Sequence, residues 1–212
     1  MKRLLIIGAG GFGREVLQYA MDISAAGLAQ WEIAGFLDDN LNALDNYSYE
    51  YKVIGTIAGH KVSDEYVYIC AIGDPKTKLT IGRRFQNEGA RFINIIHPSA
   101  YIGRTCKMGT GNVLCPGTSL TADVKMGNFI ALNQKSCFTH DSVIGDGCTI
   151  SSYCDITGFA SLGEGVFMGS HAVVCPGVSV GDYARIGAGS VVIFDLKDNM
   201  TVLGVPAKKI LK

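Results

Sequence analysis

Of the four histidines in this chain, only His140 is followed directly by a carboxylate, Asp141, in the segment CFTHDSVIG. An imidazole titrates near neutrality and can take a proton from a nucleophile, and an adjacent carboxylate can orient the ring and stabilise its charged form. Acyl transfer needs one thing more, an unpaired N–H for the oxyanion of the tetrahedral intermediate. The candidate for that donor, Gly158 in DITGFAS, lies eighteen residues further on. The pairing therefore depends on an element that would bring the two positions together.

That element is written as a six-residue metre. From Ile96, every sixth residue through Val192 is large and apolar, seventeen positions without a slip. Four residues after each anchor the side chain is mostly small or β-branched, as at Cys106, Thr118, Val124, Ser136, Cys148, Cys154, Ala160 and Ala172. Neither a helix nor an ordinary sheet has a period of six. A solenoid does, with one short strand and one corner per hexapeptide and three hexapeptides per coil. The anchor fills the interior, the small residue turns inward near the corner, and successive coils stack at roughly 4.8 Å. The pattern predicts a left-handed parallel β-helix of fewer than six coils, over about residues 93–198. Eighteen residues make one coil, so Gly158 is expected directly over His140. The same register makes Cys106, Cys148 and Cys154 packing residues and places His171 on an outward corner. His97, beside Pro98, reads as structural, and His60, in a charged connecting segment, as solvated.

Before the repeat the texture changes. LLIIGAGGFGRE carries G-x-G-x-x-G in Gly8, Gly10 and Gly13, between a buried strand and a helix, GREVLQYAMDISAA. EIAGFLDD and YVYICAIGD read as further strands, and PKTKLTIGRRFQNEG as a second helix. Alternation of this kind predicts a small parallel sheet with ligands outside the carboxyl ends of its strands, where the glycines, Asp38-Asp39 and Gly73-Asp74 fall. A dehydrogenase would use such a loop for NAD, but residues 1–92 supply only half of a doubly wound sheet. A loop of bare amides at a helix N-terminus suits any pyrophosphate, a nucleotide-sugar included. The expected organisation is an α/β half-Rossmann domain over 1–92, the β-helix over 93–198, and a C-terminal tail over 199–212.

Composition excludes several classes. Lys plus Arg equals Asp plus Glu at 19 each, so no global field draws the chain to nucleic acid or an anionic membrane. No apolar run is long enough to span a bilayer. Seven cysteines without a C-x-x-C pair argue against a disulfide framework or a zinc ribbon and fit a reducing cytoplasm. Too few histidines converge for a metal hydratase, so no metal is expected.

The repeat, NQKSCFTHDSVIG and the ending LGVPAKKI resemble the left-handed β-helix acyltransferases that use acetyl-CoA. IIGAGGFGREV, FLDD and AIGD, joined through IIHPSA, narrow the resemblance to the NeuD/PglD-like sugar O- and N-acetyltransferases. It implies a homotrimer with acetyl-CoA in the groove between neighbouring β-helices and a UDP-4-amino-sugar on the N-terminal sheet, in bacterial glycan biosynthesis. Transfer to the amine is the expected reaction. Transfer to a sugar hydroxyl, as in sialic acid, is the alternative, and a non-catalytic trimeric scaffold the distant one. Carried across, the base falls on His140, its carboxylate on Asp141 and the oxyanion amide on Gly158. Acetyl-CoA would run past Thr149, Gly158, Ser170 and Ala188 towards Lys208 and Lys209. Gly10, Gly11, Phe12, Asp38, Asp39 and Gly73 would hold the nucleotide-sugar. The chain departs from the family at Phe12 and Thr149, where histidines are usual, and at Asp141, where glutamate is common.

Overall fold

The computed structural model describes residues 1–210. Four parallel strands open the chain: β1 (Lys2–Ile7), β2 (Trp31–Leu37), β3 (Val53–Gly55) and β4 (Tyr66–Cys70), in the order β3-β2-β1-β4. β1 is central and buried on both faces. Its alternate residues Leu4 and Ile6 pack with Val16, Leu17, Ala20 and Ile23 of helix α1 (Gly11–Ala25). Leu5 and Ile7 point the other way and join the cluster that holds Leu79 and Phe85 of α2 (Pro75–Asn87). A period of two on the strand and of three to four on the helices thus gives a sheet covered on both sides. α2 starts where it does because Asp74 caps it, its carboxylate accepting from the Thr77 N–H at 2.9 Å, with Pro75 in the first turn. The short β3 carries no clear sequence signal of its own.

From Ile95 the chain becomes a solenoid of two-residue strands, one per hexapeptide, in three parallel sheets. Every rung pairs with the residue eighteen further on, as Leu132 with Ile150 and Phe138 with Ile156. The second residue of each strand is the anchor, and from Leu114 onward all are at most 4% exposed. The small inward positions are equally closed: Ser136, Ser142, Cys148, Cys154, Ala160, Ala172, Ala184 and Ser190 are all fully buried. A first face runs from Ile95–Ile96 to Arg185–Ile186, a second from Tyr101–Ile102 to Val191–Val192, and a third from Lys107–Met108 to Ser179–Val180. The first face gains a further rung, Thr201–Leu203, sixteen residues after its partner at Arg185, and Lys208–Lys209 folds back antiparallel upon it.

The N-terminal domain sits on the first face and its two corners. Phe129 packs edge-on to Phe92 at 4.8 Å and fills the space where Gly82 lacks a side chain. Arg83 pairs with Glu164, which also accepts from the Tyr183 hydroxyl. On the other flank Gln134 reaches the Tyr19 hydroxyl at 3.3 Å. His97 contacts Asp22 at 3.2 Å and lies edge-on to Tyr19, so it serves the domain junction. His60 differs from its expected solvated state. It is half-buried, parallel to Phe85, with Nε2 at 3.0 Å from the Tyr68 hydroxyl, and burial holds its pKa down.

Candidate active site

The corner between the second and third faces carries Thr139, His140, Asp141 and Ser142, following the rung Cys137–Phe138. Phe138 is fully buried, which fixes the corner and turns His140 outward with its side chain 56% exposed. Asp141 adopts the left-handed backbone (φ 61°), and its N–H donates to Ala122 O at 3.0 Å, one coil back. In that setting its carboxylate lies 3.0 Å from His140 Nδ1. Among the described residues Nε2 has no hydrogen-bond partner, so the second ring nitrogen is available to accept a proton.

One coil later Gly158 lies beneath the ring. A Cβ built on Gly158 would stand 2.5 Å from His140 Cε1 and 2.7 Å from Nε2, so the imidazole occupies the space a side chain would claim. The corners are tied by the Phe159 N–H donating to His140 O at 3.1 Å. Phe159 also sets its ring edge-on to the imidazole at 5.2 Å. Among the described residues the Gly158 N–H donates to no protein acceptor. Imidazole, carboxylate and free amide therefore meet at one corner, as the eighteen-residue arithmetic requires.

At the carboxyl edge of the sheet the glycine loop has the shape an anion needs. Gly8 holds φ +100°, and a Cβ at Gly13 would collide with the Gly8 carbonyl, so Gly13 lets α1 approach β1. Gly10 and Gly73 face open space, and no side chain caps α1, which leaves the amides of its first turn for a ligand. Asp38 shapes this loop: its two oxygens accept from the N–H groups of Ala9 (2.8 Å) and Asn40 (2.9 Å). Asp39 likewise accepts from Ala58 at 3.0 Å. Gly11 is exposed at the helix start, whereas Phe12 is half-buried against the core beside α1.

The residues expected along the cofactor divide. Ser170 and Ala188 stack one coil apart at the corner between the first and second faces, where the Gly189 N–H donates to Ser170 O at 2.8 Å. Lys208 and Lys209 are exposed on the terminal hairpin. Thr149, expected along acetyl-CoA, directs its hydroxyl towards the N-terminal domain. It is 5% exposed, its hydroxyl donates to Gly73 O at 2.8 Å, and it accepts from Lys78 Nζ at 2.9 Å. Its single proton is committed to the substrate-side loop. Lys78, which no motif marked, is 1% exposed, and its amine also reaches Cys148 O at 3.1 Å. Burial lowers its pKa to about 8.

Within one chain these pieces fall into two separate groups. The glycine loop, Gly73 and Thr149 lie over the first face, while His140 and Gly158 lie at the corner opposite it. Among the described residues no His, Cys, Asp and Glu cluster is placed to hold a metal ion, and no helix is long and apolar enough to cross a membrane.

The comparisons agree with this geometry. Residues 3–85 match the model of the PglD N-terminal domain, and residues 159–193 that of the bacterial transferase hexapeptide (six repeats). No curated protein matches the chain. The acetyltransferase domain of PglB from Neisseria gonorrhoeae FA1090, solved with acetyl coenzyme A, is 29% identical, with 99% of each chain covered and a TM-score of 0.88. PerB from Caulobacter crescentus, solved with CoA and GDP-perosamine, is 29% identical over 100% of this chain and 98% of that one, with a TM-score of 0.85. WeeI from Acinetobacter baumannii AYE shares the fold at 22% identity, over 99% of this chain and 100% of that one, with a TM-score of 0.67. Solenoid, corner histidine and matches together define a hexapeptide-repeat acetyltransferase. With its N-terminal domain included, the chain is similar over nearly its whole length to the PglD-like sugar acetyltransferases.

Proposed function

We propose that the chain transfers acetyl from acetyl-CoA to the amine of a nucleotide-linked amino-sugar, of the UDP-4-amino-sugar type. The observation that carries the reading is the His140 imidazole seated on Gly158 with Asp141 on its Nδ1. His140 Nε2 takes the proton from the amine as nitrogen attacks the thioester carbonyl. The Gly158 N–H receives the developing oxyanion, and the tetrahedral intermediate collapses with loss of CoA thiolate. Asp141 holds the ring and stabilises its charged form. The sugar's pyrophosphate lies against the amides of Gly10 and Gly11, with Asp38, Asp39 and Gly73 framing the loop and Phe12 beside the sugar. The donor runs along Ser170 and Ala188 towards Lys208 and Lys209. The relatives solved with acetyl-CoA, and with CoA and GDP-perosamine, support donor and acceptor class.

The loop and His140 lie on opposite sides of one solenoid, so a complete site needs a second copy of the chain. A homotrimer, with each glycine loop facing a neighbour's His140, meets that need. The test is a mass-spectrometric screen of UDP-, GDP- and dTDP-linked amino-sugars with acetyl-CoA, scored for one alkali-stable acetyl. His140→Ala should lower kcat by about 10²–10⁴ with substrate binding retained. Mixed trimers of His140→Ala with a loop-defective Gly10→Trp variant should regain activity, because some sites then combine two intact halves. Near-wild-type turnover by His140→Ala would sink the assignment.

A further inference from the structure

The corner between the first and second faces carries a column of side chains that stops one rung short. Lys135, Tyr153, His171 and Gly189 occupy the same corner position in successive coils, eighteen residues apart. Their backbones are tied coil to coil, as the His171 N–H donates to Ser152 O at 3.0 Å and the Gly189 N–H to Ser170 O at 2.8 Å. Tyr153 and His171 lie nearly parallel, with ring centroids 4.9 Å apart and planes 9° from each other. The Lys135 ammonium closes the upper end, 5.3 Å from the Tyr153 ring. The lower end is open. Gly189 has no side chain, and a Cβ placed there would meet no atom of the described residues within 4 Å.

All four residues hold left-handed backbones, with φ between 56° and 66°. This conformation is unfavourable for an ordinary side chain. Tyr153 and His171 accept that cost to present flat rings to water, Tyr153 being 48% exposed. Below His171 the coil spacing of about 4.8 Å leaves a gap wide enough for one planar ring. Ser170 and Ala188 flank the gap as the residues preceding His171 and Gly189. The terminal hairpin reaches the same corner, since the Gly204 N–H donates to Ser190 Oγ at 3.0 Å, and this hairpin carries the exposed Lys208 and Lys209.

We infer that the Tyr153–His171 column is a stacking platform for the adenine of acetyl-CoA, which fills the rung left vacant at Gly189. Adenine extends the aromatic stack by one step on the free face of His171. Its sequence position beside Ser170 and Ala188 leaves the pantetheine arm in the groove, and the two lysines supply positive charge for the adenylate phosphates. A side chain at position 189 would compete for the gap, which gives that glycine a role beyond its backbone angle. The inference rests on the acetyl-CoA reading above and adds to it the residues that recognise the nucleotide end of the donor.

The test separates the two readings. Binding of adenosine 3′,5′-bisphosphate, the nucleotide end of CoA without its pantetheine, is measured by calorimetry on the wild-type chain, His171→Ala and His171→Phe. Loss of one base–aromatic stack predicts about 5- to 150-fold weaker binding by His171→Ala and recovery in His171→Phe. Gly189→Asn, a residue that tolerates the left-handed backbone, should weaken binding similarly by filling the gap. In turnover, His171→Ala should raise KM for acetyl-CoA by the same factor, with kcat unchanged. Its KM for acetyl-phosphopantetheine, which lacks adenosine, should match wild type. Unchanged bisphosphate binding by His171→Ala overturns the inference, as does an equal KM rise with both donors. Weakening of uridine diphosphate instead of the bisphosphate also overturns it, since the platform would then belong to the acceptor. Bisphosphate binding that depends on His171 in a chain that transfers no acetyl would uphold the platform and refute the donor reading.

Discussion

Gly158→Ala isolates the seat of the catalytic ring. The added methyl carbon would stand 2.5 Å from His140 Cε1, whereas non-bonded carbons settle at about 3.5–4.0 Å. The imidazole must therefore retreat by about 1 Å. It can do so, because the His140 side chain is 56% exposed and has water on its outer side. Gly158 does not hold a positive φ, so alanine adopts its backbone without strain. Stability should therefore stay within about 0.5 kcal/mol of wild type. Catalysis should not: misplacing a reacting group by about 1 Å costs about 10² in rate, or about 2.7 kcal/mol of barrier. The amide N–H survives in alanine, so the loss reports the ring's position and not a missing oxyanion donor. The assay is kcat at saturating acetyl-CoA and acceptor for wild type, Gly158→Ala, His140→Ala and the double variant, with thermal melts alongside. If the glycine acts through the histidine, the double variant equals His140→Ala. A Gly158→Ala enzyme within two-fold of wild type would refute the reasoning, and so would full additivity in the double variant.

Two further outcomes follow from the domain junction. Lys78 is protonated more readily in the unfolded chain (10.5) than in the fold (about 8), so its contribution to stability grows as pH rises from about 8 to about 10.5. The buried thiols of Cys70 and Cys148 oppose this, because burial raises them to about 12 and the unfolded chain releases their protons first. The measurement is therefore the difference in melting temperature between wild type and Lys78→Met across that window. It should move in favour of wild type as pH rises, and a flat difference would contradict the buried amine. Thr149→Val removes the hydroxyl that ties Gly73 O to the solenoid, so KM for the nucleotide-sugar should rise several-fold while KM for acetyl-CoA stays put. A rise confined to acetyl-CoA would restore Thr149 to the donor side.

The six-residue metre was legible because each coil is built from contacts at a constant spacing. Side-chain type at Ile144 or Cys148 depends only on whether the position faces the interior, and the same answer recurs in every coil. The same constancy made the His140–Gly158 meeting computable from arithmetic. The last rung, Thr201–Leu203, escaped the metre because its loop is two residues shorter than a coil, so its anchor Val202 falls out of phase. Nothing local foretold the junction. Lys78 and Thr149 are 71 residues apart and meet only because α2 lies on the first face. In the sequence no motif marks Lys78, and the family resemblance places Thr149 along acetyl-CoA. His60 was misread for the same reason, since Tyr68 and Phe85 reach it from separate elements.

That junction also gives a physical reason for the site shared between copies of the chain that we propose. A three-sided solenoid has one corner opposite each face, and the N-terminal domain is pinned to the first face by Lys78, Phe129, Arg83 and Tyr19. Had the base been placed on the first face itself, where Thr149 is 5% exposed, the α/β domain would cover it and the donor could not enter. Placing it at the opposite corner keeps His140 open, but removes it from the loop that would hold its acceptor. Each requirement, an open base and a held acceptor, can be met in one chain only at the expense of the other. Packing three identical solenoids side by side removes the conflict, because the open corner of one then faces the covered face of the next. If the proposed trimer forms, dissociating it should therefore abolish turnover while each chain retains nucleotide-sugar binding at its own glycine loop.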